Sequence, residues 1–413
     1  MSHGTVAVIG SGVAGLTAAH LLRRTHDVTL FEADDRLGGH AHTHQAGGTA
    51  VDTGFIVHNT RTYPLLCRLF EELGVQTRPT EMSLSVHCDE CGLEFAGGRR
   101  GRGLLPRGSR RVWRNYALML TEVPRFNNDA RRFLRIGGEP GLSFGEFLAR
   151  HDYSRYFVDH VALPLVATVW SAEENTGLAQ PAGPLLDFLN NHALLSLVDR
   201  VRWRTVVGGS RNYVDRIAAE LTTVRLATPV REVRRHADGV TLVDASGGVH
   251  EVDKVVIATH ADQALALLAD PTRAEREVLG AFRYTRNRVH LHSDASVLPA
   301  ARRARASWNL RKRSCRGAGP ITVTYDLNRL MRLDAVGDHL VTLNGSIDPD
   351  RVLASMRYEH PRIDQASEDA RQRLPALTSA TTAYAGAYHG SGFHEDGCAA
   401  GARAAAAFGA PRW

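Results

Sequence analysis

The pattern of apolar and polar positions at the start of the chain predicts a strand, a turn, a helix and a second strand. Residues 6–9 form an apolar, β-branched run that is typical of a buried parallel strand. Residues 16–22 have the composition of a helix, and residues 27–31 form a second strand that ends at Glu32. This order predicts a Rossmann-like α/β fold that begins at the N-terminal end of the chain.

The pattern changes twice further along the chain. Residues 79–204 carry aromatic and helix-like stretches, whereas strand-like segments resume after them. Residues 286–374 mix alternating strands with a helix near 362–373, and the C-terminal end returns to a strand, a glycine-rich loop and an alanine-rich helix. We therefore predict a discontinuous nucleotide-binding domain with an inserted α+β substrate domain. The first comprises residues 1–78, 205–285 and 375–413, and the second comprises residues 79–204 and 286–374.

The turn between the first strand and the first helix carries the glycine pattern G-x-G-x-x-G. Gly10 permits the tight turn, Gly12 lets the backbone approach a pyrophosphate, and Gly15 lets the helix pack on the strand. The helix N-terminus offers N–H groups and a positive dipole end to phosphates. Glu32 follows the second strand near the usual spacing of a carboxylate that binds a ribose hydroxyl. These features predict a dinucleotide site, and a tight structural turn is the alternative.

Length and composition favour a two-domain globular protein of the cytoplasm. The chain has 413 residues, of which 43% are hydrophobic and 23% are charged. No run approaches about 18 apolar residues, and the first strand begins close to Met1, so we expect neither a transmembrane helix nor a signal peptide. The five cysteines are scattered and odd in number, which favours a reducing compartment. Cys88 and Cys91 form a C-x-x-C pair without a second pair, so we expect no metal site; a zinc or redox pair is the less favoured interpretation.

The net charge of +6 comes mainly from arginine, since Lys254 and Lys312 are the two lysines of the chain. Residues 99–114 and 301–316 concentrate basic side chains and contain no acid. Solvated loops would account for both stretches. Contact with anionic lipid headgroups, or with an anionic substrate, is the alternative, and we do not expect nucleic acid because no recognised nucleic-acid module accompanies the charge.

Further motifs specify the nucleotide. Residues 32–40 read E-A-D-D-R-L-G-G-H, Gly54 follows an alternating strand, and residues 392–396 read G-F-H-E-D before the last helix. With these motifs the chain resembles the superfamily of flavin-containing amine oxidases and phytoene desaturases, in particular the bacterial group labelled predicted NAD/FAD-binding proteins. His40 stands where the superfamily pattern has arginine.

The resemblance implies an amine-oxidase-like fold and FAD held without a covalent bond, because no cysteine lies in the strand where attachment is expected. Together with the glycine pattern, it assigns cofactor contacts to Gly10, Gly12, Val13, Ala14, Gly15, Glu32, Ala33, Arg36, Gly38, Gly39, His40, Gly54, Phe55, Val230, Gly386, Phe393, His394 and Glu395.

The chemistry is less specified than the cofactor. The resemblance implies transfer of a hydride to flavin N5, and amine oxidases of this type place a lysine near N5, a role that suits neither Lys254 nor Lys312. Candidate catalytic residues are His394, His192 and His292, because imidazole moves protons near neutral pH; hydrogen-bonded core histidines are the alternative. Candidate residues of a substrate cavity are Phe393, Trp170, Tyr325 and Asn328.

These observations favour an FAD-dependent oxidoreductase that desaturates, oxidises or isomerises a hydrophobic substrate such as a fatty-acyl or isoprenoid-like chain. The alternatives are an amine or amino-acid oxidase and a flavoprotein binder with little turnover. We expect a cytoplasmic protein that contacts anionic membranes peripherally.

Overall fold

The computed structural model describes residues 4–97, 103–105, 110–170, 177–191, 194–195, 201–316 and 321–413. The strands in chain order are β1 (Thr5–Ile9), β2 (Asp27–Phe31), β3 (Thr43–Ala46), β4 (Thr49–Asp52), β5 (His58–Asn59), β6 (Thr77–Pro79), β7 (Leu84–Cys88), β8 (Glu94–Gly97), β9 (Trp203–Val206), β10 (Thr223–Arg225), β11 (Val230–Arg235), β12 (Val240–Asp244), β13 (Val249–Val252), β14 (Lys254–Ile257), β15 (Tyr284–His292), β16 (Trp308–Lys312), β17 (Thr322–Asp326), β18 (Leu340–Leu343), β19 (Val352–Pro361) and β20 (Thr382–Tyr384).

The α-helices in chain order are α1 (Val13–Leu22), α2 (Pro64–Glu72), α3 (Arg110–Arg135), α4 (Phe144–Arg150), α5 (Arg155–Phe157), α6 (Leu163–Trp170), α7 (Ala182–Asn191), α8 (Arg211–Ala219), α9 (Ala261–Leu267), α10 (Arg273–Leu279), α11 (Leu327–Leu330), α12 (Gln365–Arg373) and α13 (His394–Ala407). A π-helical turn, Val158–Ala162, joins α5 to α6. Among the helices described, none is long and apolar enough to cross a membrane.

A five-stranded parallel sheet in the order β10-β2-β1-β14-β20 carries the nucleotide-binding motifs. Its strands come from all three segments that the sequence assigned to one domain, although the predicted boundaries themselves stay a prediction. The central strand β1 is buried on both faces, as a parallel sheet covered by helices requires. The predicted Rossmann-like α/β fold is confirmed.

Helix α1 lies between this sheet and α13, and all of its residues are buried. The two helices approach closely because a Cβ at Gly401 would lie 2.2 Å from the carbonyl oxygen of Ala14. Small residues therefore fix the C-terminal helix directly over the first helix, although they are separated by nearly the whole chain.

A seven-stranded sheet in the order β19-β15-β18-β17-β16-β7-β8 forms the second part. Its neighbours are antiparallel except for β16 and β7, which pair in parallel. Helices α3 to α7 pack beside it around a phenylalanine-rich core that includes Phe126, Phe144, Phe147 and Phe157. Both inserted segments thus contribute to one substrate-side sheet.

Candidate functional site

Two glycine-containing loops and Glu32 meet at the carboxyl ends of β1 and β2. The Glu32 carboxylate accepts hydrogen bonds from the Ser11 backbone N–H, at 2.8 Å, and from the Ser11 hydroxyl. The Gly38 N–H donates to the Ser11 carbonyl oxygen at 3.2 Å. A Cβ at Gly39 would lie 3.2 Å from the Gly12 Cα, so the loops are in backbone contact. The motifs predicted from the sequence therefore form one surface.

The glycines of this surface serve two different purposes. A Cβ at Gly15 would lie 1.9 Å from the Gly10 carbonyl oxygen, and one at Gly54 would lie 2.1 Å from the His40 carbonyl oxygen, so the protein's own backbone excludes side chains there. A Cβ at Gly12 would meet nothing within 4 Å. Gly12 is also the N-cap of α1 and offers no capping side chain. An anion held at this helix end explains a glycine that the protein itself does not require.

The ribose and adenine side of such a ligand would lie beyond Glu32. The Ala227 and Thr228 N–H groups donate to the carbonyl oxygens of Asp34 and Glu32, both at 2.9 Å, so the segment before β11 lies beside the end of β2. Val230 begins β11 and is buried, while Ala33 is exposed. Cofactor contacts at Ala33 and Val230 stay a prediction.

Arg36 provides a positive charge next to the second glycine loop. Its guanidinium hydrogen-bonds the Leu37 carbonyl oxygen at 3.4 Å, and no carboxylate within the described ranges pairs with it. Burial, the nearby Arg36 charge and His44 lower the pKa of His42 to about 3. An arginine that lowers the pKa of a neighbouring histidine and pairs with no described carboxylate fits a ligand with phosphate groups.

Burial and close ring contacts define a wall of His40, Tyr358 and His360, which we call the His–Tyr wall. The rings of His40 and Tyr358 are 4.9 Å apart, and those of His40 and His360 are stacked at 5.7 Å. Desolvation lowers the pKa of His40 well below its usual value and that of His360 to about 4. The Tyr358 hydroxyl hydrogen-bonds His42 and Thr53 at 2.9 and 2.7 Å. The wall is therefore uncharged at neutral pH, and His40 Nε2 is buried without a hydrogen-bond partner among the described residues.

His394 packs between Phe55 and Tyr213 in the nucleotide-binding core. Its ring stacks on Phe55 at 3.8 Å with an angle of 7° between the planes, and its Nε2 lies 2.8 Å from the Tyr213 hydroxyl. Burial, with a smaller contribution from His58, lowers the pKa of His394 to about 3. A neutral, hydrogen-bonded imidazole favours a packing role over proton transfer.

The acids that follow His394 stabilise helix ends. Glu395 accepts hydrogen bonds from the Leu65 and Leu66 N–H groups, at 3.0 and 2.9 Å, and so caps the first turn of α2. Asp396 accepts from the N–H groups of Ser391 and Phe393, at 3.0 and 2.9 Å, and holds the loop before α13. These contacts support a structural rather than a cofactor-binding role for the Glu395 side chain.

Two further predicted cofactor contacts, Gly386 and Phe393, lie in the segment between β20 and α13. Gly386 lies two residues after the end of β20, and a Cβ there would overlap the Tyr388 ring at 2.4 Å. Phe393 stacks on Phe188 of α7 at 4.5 Å. A cavity of about 340 Å³ opens nearby between α3, α7 and the loop, and Ser391 is one of its lining residues. Phe393 itself does not line this cavity, and its contact with substrate stays a prediction.

The remaining predicted cavity residues are less close to these motifs. Asn328 uses its side chain to hold a loop, since it donates to the Gly337 carbonyl oxygen at 2.9 Å and accepts from the His339 N–H at 2.7 Å. Tyr325 packs edge-on against Trp308, whose Nε1 is buried without a hydrogen-bond partner in the part of the chain that the structure describes. The Trp170 side chain and the whole of His192 lie outside the described residues. A cavity role thus stays a prediction for Tyr325, and the Asn328 contacts favour a loop-holding role.

His292, the third catalytic candidate, lies in the seven-stranded sheet. It ends β15, about 23 Å along the strand from Thr285, the residue that pairs with His360. Its Nε2 lies 2.7 Å from the Thr342 hydroxyl, and its Nδ1 accepts from the Asp294 N–H at 3.1 Å. These contacts favour the alternative of a hydrogen-bonded histidine in the sheet core, and a catalytic role for His292 stays a prediction.

Both lysines contact other parts of the protein. Lys254 starts β14, at the end opposite the glycine loop, and its Nζ lies 5.2 Å from the Phe408 ring centroid. Lys312 is buried and donates to the Asp159 carbonyl oxygen. The absence of a lysine near flavin N5 stays a prediction.

Several residues of the site were not identified from the sequence. Tyr213, Phe188, Tyr358 and His360 contact predicted residues, yet they lie in segments far from them in the chain. The segment 358–361, Y-E-H-P, was noted for its resemblance without a role, and it could have indicated two of the four. Tyr213 and Phe188 occupy ordinary apolar helix positions that give no such signal.

Comparisons with known proteins identify the family of this chain. The profile of the flavin-containing amine oxidoreductase family matches residues 13–413. Among curated relatives, a Mycobacterium tuberculosis protein assigned as flavin-containing monoamine oxidase AofH is 28% identical over 64% of this chain and 59% of its own. Coproporphyrinogen III oxidase of Mycobacterium leprae is 26% identical over 65% of this chain and 62% of its own. The chain thus spans about three fifths of the length of these curated relatives.

Solved structures share the fold over almost the full length. Cyclohexylamine oxidase from Brevibacterium oxydans matches with a TM-score of 0.69 and 16% identity over 98% of both chains. A CLA-producing fatty acid isomerase from P. acnes matches with a TM-score of 0.68 and 14% identity over 96% of this chain and 97% of that one. The cofactor of the family is FAD, and the open space at Gly12, the unpaired Arg36 and the Glu32 carboxylate fit it. The chain belongs to the flavin-containing amine oxidoreductase family.

Proposed function

We propose that the protein is an FAD-dependent oxidoreductase that removes a hydride from an uncharged, hydrophobic substrate such as a fatty-acyl or isoprenoid-like chain. When bound, FAD supplies the acceptor for the hydride. The observation that carries the proposal is the uncharged character of the side chains that adjoin the cofactor motifs, namely the His–Tyr wall, His394 and Phe55.

The electrostatics of these side chains favour a neutral substrate. Burial keeps His40, His360 and His394 in their neutral forms. A substrate ammonium would lose its hydration there and find no opposite charge on these side chains, which costs several kcal/mol. An apolar chain instead gains about 0.8 kcal/mol for each buried CH₂ group.

Amine or amino-acid oxidation is the second candidate, supported by the names of several relatives. Two features weigh against it. Neither Lys254 nor Lys312 lies at the glycine loop end of the nucleotide-binding sheet. The rings of Phe188 and Phe393 are in contact at 4.5 Å, whereas a group held between two rings needs about 7 Å between them.

Anaerobic stopped-flow reduction of the flavin separates these functions. We expect unsaturated fatty-acyl or isoprenoid substrates to bleach the flavin absorption, and primary amines and L-amino acids to leave it oxidised. Reduction by amines alone would overturn the proposal. Failure of every substrate to perturb the flavin, in protein that carries FAD and accepts electrons from dithionite, would favour a binder with little turnover.

A matched pair of variants tests whether the loop before α13 faces the substrate. Phe393→Leu should change the apparent substrate affinity or the reduction rate while FAD stays bound. Phe95→Leu is the control, because Phe95 is another half-buried aromatic residue that packs on Tyr116, 5.4 Å away, in the helical part. Equal effects of the two substitutions would argue against a substrate contact at Phe393.

A further inference from the structure

Three cysteines and one histidine from three separate places in the sequence come together on the substrate side. These residues are Cys88, Cys91, His160 and Cys315. Their sulfur and nitrogen atoms all lie within 4.8 Å of one another. The Sγ atoms of Cys88 and Cys315 are 3.6 Å apart, and Cys91 Sγ is 3.7 Å from His160 Nε2. The remaining cysteines, Cys67 and Cys398, lie in the nucleotide-binding part.

The C-x-x-C segment forms a turn that directs both sulfurs to one side. Cys88 ends β7 and Cys91 precedes β8, and Gly92 allows the turn with a φ of +69°. The N–H groups of Cys91 and Leu93 hydrogen-bond the sulfurs of Cys88 and Cys91, respectively. The Gly92 N–H donates to the Cys88 carbonyl oxygen at 2.9 Å. Backbone donors of this kind stabilise thiolates, the form in which cysteine binds a metal.

The other two ligands are positioned by independent contacts. Strand β16 pairs in parallel with β7, and the Cys315 N–H beyond its end donates to Glu90 Oε2 at 2.7 Å. His160 lies in the π-helical turn, a feature frequently found at functional sites. Its Nδ1 lies 3.0 Å from the Tyr156 carbonyl oxygen. Such a bond leaves Nε2 free to bind a metal and fixes the ring, as metal-ligating histidines require.

The spacing matches a single tetrahedral ion. With Zn–S bonds of about 2.3 Å and Zn–N bonds of about 2.0–2.1 Å, a tetrahedron places two sulfurs about 3.8 Å apart and a sulfur and a nitrogen about 3.5 Å apart. The observed 3.6 and 3.7 Å agree with both values. A cluster of several iron atoms would need more room between its ligands.

We propose that this chain binds one Zn²⁺ ion in a structural site with four protein ligands, Cys88, Cys91, His160 and Cys315. Three thiolates and an imidazole complete the tetrahedron and leave no position for water or substrate, which distinguishes a structural from a catalytic zinc site. The sequence pattern suggested no metal because His160 and Cys315 are single residues far from the C-x-x-C pair.

The site would fasten the helical part to the seven-stranded sheet. Its ligands come from the turn after β7, the segment after β16 and the helical chain between α5 and α6. Lys312 reinforces the same junction, since it pairs with Cys88 across the strands and donates to the Asp159 carbonyl oxygen next to His160. Zinc binding would therefore order the helical part, which includes Phe188, relative to the seven-stranded sheet, which includes Tyr358.

Metal analysis of the purified, FAD-loaded full chain tests the proposal. Elemental mass spectrometry should find about one zinc ion per chain, since one ion satisfies four protein ligands. Modification of the thiols with a mercurial should release that zinc in stoichiometric amount. After exchange for Co²⁺ under reducing conditions, the protein should gain the absorption of a tetrahedral cobalt–thiolate centre at wavelengths longer than the flavin bands.

Variants identify the ligands. Cys315→Ser and His160→Gln should lose bound zinc, whereas Cys67→Ser should keep it, because Cys67 lies in α2, donates to the Asn59 carbonyl oxygen and is outside the cluster. If the ligand variants fail to fold, the cobalt spectrum of the native chain still decides the question. Folded native protein that takes up neither zinc nor cobalt under reducing conditions would overturn the proposal. Stoichiometric iron, or a disulfide between Cys88 and Cys315 in protein purified with reductant, would also overturn it.

Discussion

Replacing His394 with phenylalanine separates a packing role from a proton-transfer role. Phenylalanine keeps the ring that stacks on Phe55 at 3.8 Å, and it removes the hydrogen bond to Tyr213. Near pH 7.5 we expect the His394→Phe variant to lose about 1–3 kcal/mol of unfolding free energy, because the buried Tyr213 hydroxyl is left unpaired. FAD should stay bound.

The pH dependence gives the sharper prediction. The pKa of His394 is lowered to about 3 in the folded protein, and its unfolded value is about 6.5. The unfolded chain therefore takes up the proton first as the pH falls. The stability is fully present above about pH 6.5 and is lost as the pH falls towards the folded pKa. Between about pH 7.5 and pH 5 this single group removes about 2 kcal/mol of unfolding free energy.

The phenylalanine variant cannot take up that proton. The difference in unfolding free energy between native and variant protein should therefore shift by about 2 kcal/mol in favour of the variant between about pH 7.5 and pH 5. Other buried histidines, such as His360, are present in both proteins and cancel in the difference. Urea unfolding at several pH values, with saturating FAD, measures the shift.

The same preparations also report on catalysis. We expect the variant to keep a flavin reduction rate close to that of the native protein. A stability difference that does not change with pH, combined with a reduction rate lowered by about 10²–10⁴-fold, would indicate a folded pKa near neutrality and a general acid–base role. That result would refute the assignment of His394 to packing.

Four further predictions concern the cofactor, a helix cap and the surface. Gly12→Ser places a side chain in open space and gives α1 a better N-cap, so the FAD-free protein should unfold at an unchanged or slightly higher urea concentration. FAD affinity, measured by titration, should fall about 5- to 150-fold because overpacking costs about 1–3 kcal/mol; native affinity would mean that the cofactor does not occupy this space. Glu395→Ala should cost about 1–2 kcal/mol in urea unfolding through loss of the cap on α2, with normal FAD content per folded chain, and loss of FAD without loss of stability would contradict the capping role. Acid precipitation should release free FAD into the supernatant, and flavin retained in the pellet would indicate covalent attachment. Vesicle co-sedimentation should rise with anionic lipid and fall with salt if the exposed arginines of 301–316 contact headgroups, and indifference to both would favour solvated loops.

The cofactor surface could be predicted because most of its contacts are local. Gly10, Gly12 and Glu32 belong to one βαβ unit, in which the turn, the helix start and the end of the second strand are adjacent by construction. The main difference is that α1 begins at Val13, earlier than the apolar pattern indicated. Gly12 starts the helix directly, and the glycine pattern itself contains its first turn.

The contacts on the substrate side could not be predicted because they depend on which strands of the sheet are neighbours. Asn287 meets His360 because β19 pairs with β15, and Cys88 meets Cys315 because β16 pairs in parallel with β7. Alternation along each strand indicates which faces its side chains share but not which strand lies beside it. The seven-stranded order therefore determines the contacts, and it joins segments from both insertions.

The space around each glycine indicates which part of the surface binds a ligand. At Gly15 and Gly54 the protein's own backbone forbids a side chain, so these residues would be needed whether or not a nucleotide binds. At Gly12 the backbone dihedral φ is −62°, the space beyond it is open, and a serine would cap the helix better. A residue that is suboptimal for the free protein, at the positive end of a buried helix and between two loops that touch, has its explanation in the ligand rather than in the fold. The contrast between Gly12 and Gly15 thus supports a dinucleotide at this surface independently of the family resemblance.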